Sequence, residues 1–154
     1  MSDLTNQEEV LILDHMEELA RGLSYCLKRK VAALLRSEDG YVTSIGINGV
    51  PLCKEKGCLR AGAESGSGLD KCRGVHAEIL ALFRGRDHAP GGTLYITHFP
   101  CSHCAPLIVK SGVSEVVYRY SYGDETMSTT ILTEGGVIIR RGLDESSEED
   151  KPVN

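Results

Sequence analysis

Gly74-Val75-His76-Ala77-Glu78 and Phe99-Pro100-Cys101-Ser102-His103-Cys104 decide how the rest of the chain must fold, because side chains from both have to meet in space. His76, Cys101 and Cys104 offer one imidazole nitrogen and two sulfurs. Three such donors leave a tetrahedral Zn²⁺ one open position, whereas a fourth protein ligand would close it. Glu78, two residues past the histidine, is near enough to handle a proton without ligating the metal. Either half alone is weak: His-Ala-Glu opens many ordinary helices, and Cys-x-x-Cys also serves in structural zinc knuckles and redox pairs. Their conjunction, in this order, points to a catalytic metal.

Working outward, residues 75–84 read as a helix with His76 and Glu78 in its first turn, Ile79, Leu80, Leu82 and Phe83 facing inward, and Gly85 as its stop. Residues 93–97 form a strand that delivers the cysteine motif, and residues 101–110 a helix closed by Ser111-Gly112. The N–H groups and dipole at a helix start favour thiolates, which is a reason to mount two sulfurs there. Upstream, Val10, Leu13, Leu19, Ala20 and Leu23 fall near helical spacing, predicting an amphipathic helix over residues 10–23 that covers one face of a sheet. Residues 30–36 and 41–47 flank Ser37-Glu38-Asp39-Gly40, whose Asp-Gly pair predicts a hairpin. A strand at 113–120, a helix at 125–134 and a strand at 137–141 complete the order α-β-β-α-β-α-β-α-β. That order predicts a three-layer α/β/α domain over residues 1–142, built on a five-stranded mixed sheet with parallel crossovers in its second half.

Residues 48–73 form a long connection rich in glycine and charge that holds Cys53, Cys58 and Cys72. A connection of that length inside a compact domain is functional or needs pinning. With Cys26 these make four further thiols, the count of a closed structural zinc site that would pin it.

At 154 residues the chain is long enough for one domain with a proper apolar core. Its formal charge of -5 is carried mostly by residues 143–154, whose five acids and one lysine sum to -4. That segment has too few apolar residues to pack and is expected to be a solvated, disordered acidic tail. The remaining body is close to neutral. Surfaces that bind polynucleotides show a basic excess, so none is expected here, although a local pocket for one phosphate is allowed. Residues 1–7 lack a basic and apolar leader, and no apolar run reaches the length of a bilayer span. The expectation is a cytoplasmic protein with no membrane partner.

His-x-Glu followed by Pro-Cys-x-x-Cys is the signature of zinc nucleobase deaminases. Around it stand Ser24-Tyr25-Cys26 with Lys30-Val31, Gly46-Ile47-Asn48-Gly49-Val50-Pro51, Cys58-Leu59-Arg60, Ser65-Gly66, the run from Cys72 to Glu78, and the run from Leu94 to Cys101. Over residues 23–141 the chain thereby resembles the deoxycytidylate (dCMP) deaminase family of the cytidine-deaminase-like zinc superfamily, in the branch that includes late-competence deaminase-like proteins. The resemblance implies the cytidine-deaminase-like fold and one catalytic Zn²⁺. It also implies hydrolytic removal of the 4-amino group of a cytosine nucleotide, dCMP to dUMP with release of ammonia. Glu78 would be the catalytic proton carrier. Asn48, Tyr122 and the backbone N–H of Ala77 would contact the substrate, and a carbonyl at Phe99 or Pro100 would hold the base edge. Ser24, Lys28, Arg29 and the bases between Lys54 and Arg73 are the candidates for a phosphate. The resemblance further implies a second, structural zinc near Cys26, Cys53, Cys58 and Cys72, and assembly as a homo-oligomer.

Three positions depart from the family pattern: Leu80 for asparagine, Ile47 for tyrosine and Ala32 for glycine. None touches the zinc chemistry, and all bear on the pocket wall. Other readings use the same motif: a deaminase of another amino-heterocycle or of a 5-substituted cytosine nucleotide, deamination within RNA or DNA, and a non-catalytic zinc-stabilised interaction protein. The near-neutral body counts against the polynucleotide reading. Glu78 counts against the last, since a closed structural site has no use for a spare carboxylate.

Overall fold

The computed structural model describes residues 4–64, 66–121 and 123–142; Tyr122 and the acidic segment 143–154 lie outside the described residues. Helix α1 (Asn6–Leu23) begins earlier than its apolar spacing predicts. The cause is a capping box: the Glu8 N–H donates to the Thr5 hydroxyl at 3.3 Å, and the Thr5 N–H donates back to the Glu8 carboxylate at 2.8 Å. Its buried stripe is Leu13, Met16 and Ala20, while Leu23 is exposed.

Strands β1 (Ala32–Arg36) and β2 (Val42–Ile47) pair antiparallel across the expected turn, where Gly40 takes φ 90°. A short helix α2 (Pro51–Glu55) and a single 3₁₀ turn, Leu69–Lys71, interrupt the long connection. Then come α3 (Ala77–Gly85), β3 (Thr93–His98), α4 (Ala105–Ser111), β4 (Glu115–Tyr120), α5 (Thr126–Glu134) and β5 (Ile138–Arg141). The sheet order is β2-β1-β3-β4-β5, with β1 antiparallel to both neighbours and β3, β4 and β5 parallel. This is the five-stranded mixed sheet expected from the element order. Alternation along the strands divides the core: Ala32, Leu34, Tyr95 and Val117 pack with α1, whereas Leu35, Leu94, Ile96 and Val116 pack with residues of α3, α4 and α5.

Helix α3 keeps Leu82 in the core with Ile79 packed against it, as expected, but departs from the expected inward face at Phe83. Phe83 is 71 % exposed, and the helix meets the sheet through Ala77, Ala81 and Gly85, spaced by four. Gly46 of β2 explains why. A Cβ there would lie 2.0 Å from the Ala77 carbonyl oxygen and 2.5 Å from the Ala81 nitrogen, so the helix rests directly on the strand and only small residues fit the contact. The start of α4 is also later than expected: residues 101–104 form a turn in which the Cys101 carbonyl accepts from the N–H groups of Cys104 and Ala105, both at 3.0 Å.

A half-buried ion pair fastens the N-terminal helix to the last strand. Arg140 reaches both carboxylate oxygens of Glu9, at 2.7 and 3.1 Å, and also pairs with Glu115. The Tyr95 hydroxyl donates to the same Glu9 at 3.3 Å. Among the described residues no helix is long and apolar enough to cross a membrane.

Candidate active site

His76 is the residue immediately before α3 and Cys104 the residue immediately before α4. Neither spends its side chain on capping the helix, so both are free to turn toward each other. The Cys104 sulfur lies 3.2 Å from His76 Nδ1, the Cys101 sulfur 3.5 Å from the same nitrogen, and the two sulfurs 3.6 Å apart. Tetrahedral zinc with Zn–S of about 2.3 Å and Zn–N of about 2.0 Å needs about 3.8 Å between sulfurs and about 3.5 Å from sulfur to nitrogen. The donors match this within a few tenths of an ångström. They are also the single three-donor group among the described residues.

By themselves the three donors compete for protons. Hydrogen bonds from Cys104 and His76 hold the Cys101 thiol down to about 3, and the bond to Cys101 lifts His76 to about 9. The Cys104 thiol is pushed up, chiefly by its bond to Cys101. Without a metal, protons on His76 and Cys104 stand in for the positive charge that a divalent cation would bring, and binding one would release them. Glu78 is 5 % exposed, and burial pushes its carboxyl up to about 7 against the pull of His76.

Of these residues His76 and Glu78 line a cleft of about 210 Å³. Ala77, Asn48, His98, Phe99 and Arg73 line it too, as do Cys26, Cys53, Cys58 and Cys72. Ala77 opens α3, so its N–H has no acceptor within the helix. Of the two carbonyls proposed for the base edge, that of Pro100 is buried and already accepts the Ser128 hydroxyl at 2.6 Å. Asn48 holds the loop as well as lining the cleft: its Oδ1 accepts from Ser24 at 2.6 Å and from the Val31 N–H at 2.9 Å, and its Nδ2 donates to the Arg29 carbonyl at 2.7 Å. Ser24 is 1 % exposed and is not part of the cleft wall. Ala32, Ile47 and Leu80, the three departures from the family pattern, do not line it either.

The long connection is pinned by a lysine. Lys28 Nζ donates to the Arg60 carbonyl at 2.9 Å and also to that of Ala63, while Arg60 Nε donates to the Ser67 carbonyl at 2.8 Å. Arg73 Nε, by contrast, is buried without a hydrogen-bond partner. The four extra cysteines share the cleft wall, yet no three of them come within the mutual reach seen at His76, Cys101 and Cys104. His98 touches Thr97 Oγ1 through Nδ1 at 3.0 Å. Thr97 Oγ1 in turn accepts the Ala32 N–H at 3.2 Å.

Residues 6–120 match the family model described as the cytidine and deoxycytidylate deaminase zinc-binding region. The chain is 36 % identical to the deoxycytidylate deaminase of Saccharomyces cerevisiae over 129 residues, covering 80 % of this chain and 41 % of that one. It is also 36 % identical to the Schizosaccharomyces pombe deoxycytidylate deaminase, again covering 41 % of the relative. The chain thus spans about two fifths of the length of these two yeast proteins. The deoxycytidylate deaminase of Mycobacterium phage D29 is 36 % identical over 105 residues, 62 % of this chain and 81 % of that one. The fold is that of the dCMP deaminase from cyanophage S-TIM5, with a TM-score of 0.67 at 24 % identity, covering 90 % of this chain and 99 % of that one. With a zinc-type donor set on the fold of a known deaminase and a family match across most of its length, the chain belongs to the cytidine and deoxycytidylate deaminase family.

Proposed function

We propose that the protein is a zinc-dependent hydrolase that converts dCMP to dUMP and ammonia. The observation that carries this is the three-donor group at tetrahedral spacing, with its His76 and the buried carboxyl of Glu78 in the wall of a cleft. The names of the relatives support the substrate, as does the structural neighbour, which has been solved in complex with dCMP and dUMP. Zinc held by His76, Cys101 and Cys104 supplies the acidity that makes water a nucleophile near neutral pH. Glu78 carries the protons: it takes one from the attacking water and gives it to ring N3, then takes the second from the new 4-hydroxyl and gives it to the departing amine. A C4–O bond forms, the C4–N4 bond breaks, and ammonia leaves. Such a group must both accept and return a proton, which suits a carboxyl raised from its usual range.

The Ala77 N–H and the Phe99 carbonyl hold the base edge in this reading. Asn48 meets the sugar, with Ser24 acting through it, and Tyr122 is the further candidate for contact with the nucleotide. Arg73 receives the 5′-phosphate, because a buried guanidinium nitrogen without an acceptor is costly until a ligand supplies one. Cys26 and Cys58 accept backbone N–H groups at 3.4 Å, as metal-bound thiolates do. A second zinc among Cys26, Cys53, Cys58 and Cys72 would draw the connection inward, and two metal equivalents per chain would be its mark.

A cytoplasmic location fits ligand thiols that must stay reduced. A homo-oligomer fits the apolar Phe83, Leu107 and Met127 exposed on α3, α4 and α5.

The test is loss of the cytosine absorbance band when dCMP meets the zinc-loaded full chain, with deoxycytidine turned over more weakly. Glu78→Gln should keep its zinc and lose about 10²- to 10⁴-fold in kcat. No turnover of any cytosine nucleotide would overturn the proposal.

A further inference from the structure

Helix α5 contributes nothing to the donor set, yet one of its side chains reaches the backbone that carries it. Ser128 is 2 % exposed, and its hydroxyl donates to the Pro100 carbonyl at 2.6 Å. Within the first turn of α5 the ordinary alternative for a serine is a carbonyl of its own helix. Here the hydroxyl crosses to another segment. Pro100 immediately precedes the ligand Cys101, and its carbonyl belongs to the peptide plane that sets where the Cys101 Cα and Cβ stand.

The neighbouring peptides are held by backbone alone. The Phe99 N–H donates to the Tyr120 carbonyl at 2.8 Å, and the Cys101 carbonyl accepts from Cys104 and Ala105 at 3.0 Å each. Between these anchors the Pro100–Cys101 plane has one tether among the described residues, the Ser128 hydroxyl. The Phe99 ring lies edge-on to Tyr118 with centroids 4.8 Å apart, so the segment is packed on one side and leaves this plane to the hydrogen bond.

We propose that Ser128 is a positioning residue for the metal centre: through the Pro100 carbonyl it fixes the Cys101 sulfur against His76 and Cys104. It touches neither substrate nor donors. The same bond leaves Pro100 engaged and Phe99 as the carbonyl that meets the base. That second consequence rests on the deaminase reading; the first does not.

The experiment compares the full-length wild type with Ser128→Ala and Ser128→Thr. Zinc affinity is read by competition with a chromophoric chelator, and ligand geometry by the visible ligand-field spectrum of Co²⁺. Loss of an outer hydrogen bond that orients a ligand typically lowers metal affinity or activity about 10- to 100-fold. Ser128→Ala should show that loss and a shifted cobalt spectrum, with kcat for dCMP reduced and KM within about twofold of wild type. Ser128→Thr, which keeps the hydroxyl, should restore affinity and spectrum. A folded Ser128→Ala with wild-type zinc affinity and cobalt spectrum overturns the proposal. If Ser128→Ala does not fold, the threonine variant decides: wild-type metal binding supports the role, and weakened binding in a folded protein refutes it. Because the metal readouts need no turnover, an enzyme inactive on every nucleotide would sink the deaminase reading and leave this test intact.

Discussion

His98 lies in the cleft wall with its ring 5.4 Å from that of Tyr120. Burial, and secondarily the charge of Arg29, lowers its pKa from 6.5 to about 4. The unfolded chain therefore takes up this proton first as pH falls. Stability from a neutral His98 is complete above about pH 6.5 and is lost between there and about pH 4. The ceiling on that loss is about 3.5 kcal/mol, from roughly 1.4 kcal/mol per pKa unit. His98→Gln should flatten the difference in urea-unfolding free energy between about pH 7.5 and about pH 5; an unchanged difference would remove His98 as its source. Residues of this kind divide by what a sequence can carry. His76, Glu78, Cys101 and Cys104 are legible because metal chemistry dictates both residue type and spacing. Ser128, Lys28 and Arg73 are not, since serine, lysine and arginine are ordinary surface residues until a distant carbonyl or a missing acceptor gives them a role.

At the scale of elements, the seat of α3 on β2 is the contact that places His76. Ser44 Oγ also donates to the Ala81 carbonyl at 2.7 Å, and Arg84 to the Ile45 carbonyl at 3.0 Å, so three successive strand residues hold the helix. Gly46→Ala puts a methyl where two backbone atoms stand and forces the helix off the strand. The expected cost is about 3 kcal/mol or more, at the upper end for overpacking, with a fall in zinc affinity in parallel. Thermal unfolding and chelator competition check it; loss of stability with unchanged zinc affinity would show that α3 does not transmit the shift to His76. Ser44→Ala, which removes a hydrogen bond alone, should cost about 1 kcal/mol. The number and type of the main elements were legible from periodicity and turn residues. The outward turn of Phe83 and the alanine seat of α3 were not, because hydrophobic spacing favours the large Phe83, whereas a glycine on the facing strand selects alanines. The start of α1 was readable in Thr5 and Glu8, a capping pair whose signal lies in polar residues that an apolar count passes over.

Across the molecule, the sheet separates two unequal layers: among the described residues α1 alone covers one face, and α3, α4 and α5 cover the other. The lone helix is held by charge as well as by its apolar stripe. Arg119 pairs with Asp14 at 2.6 Å and with Glu17 at 3.0 Å, alongside the Arg140 pair with Glu9. Arg140→Met would leave Glu9 buried with only the Tyr95 hydroxyl. Breaking a fully buried pair costs about 3–5 kcal/mol; Arg140 is 41 % exposed, so about 2–3 kcal/mol is expected here. Adding Glu9→Gln should recover part of that loss in a double-mutant cycle, and strict additivity would deny the coupling. Such pairs have no local signal in a sequence, since their members lie 131 positions apart. That separation also sets an order of events during synthesis. Glu9 leaves the ribosome long before Arg140 is made, so α1 completes its docking only when the last strand emerges. A nascent chain halted before β5 would carry an acid facing the sheet with no guanidinium to receive it.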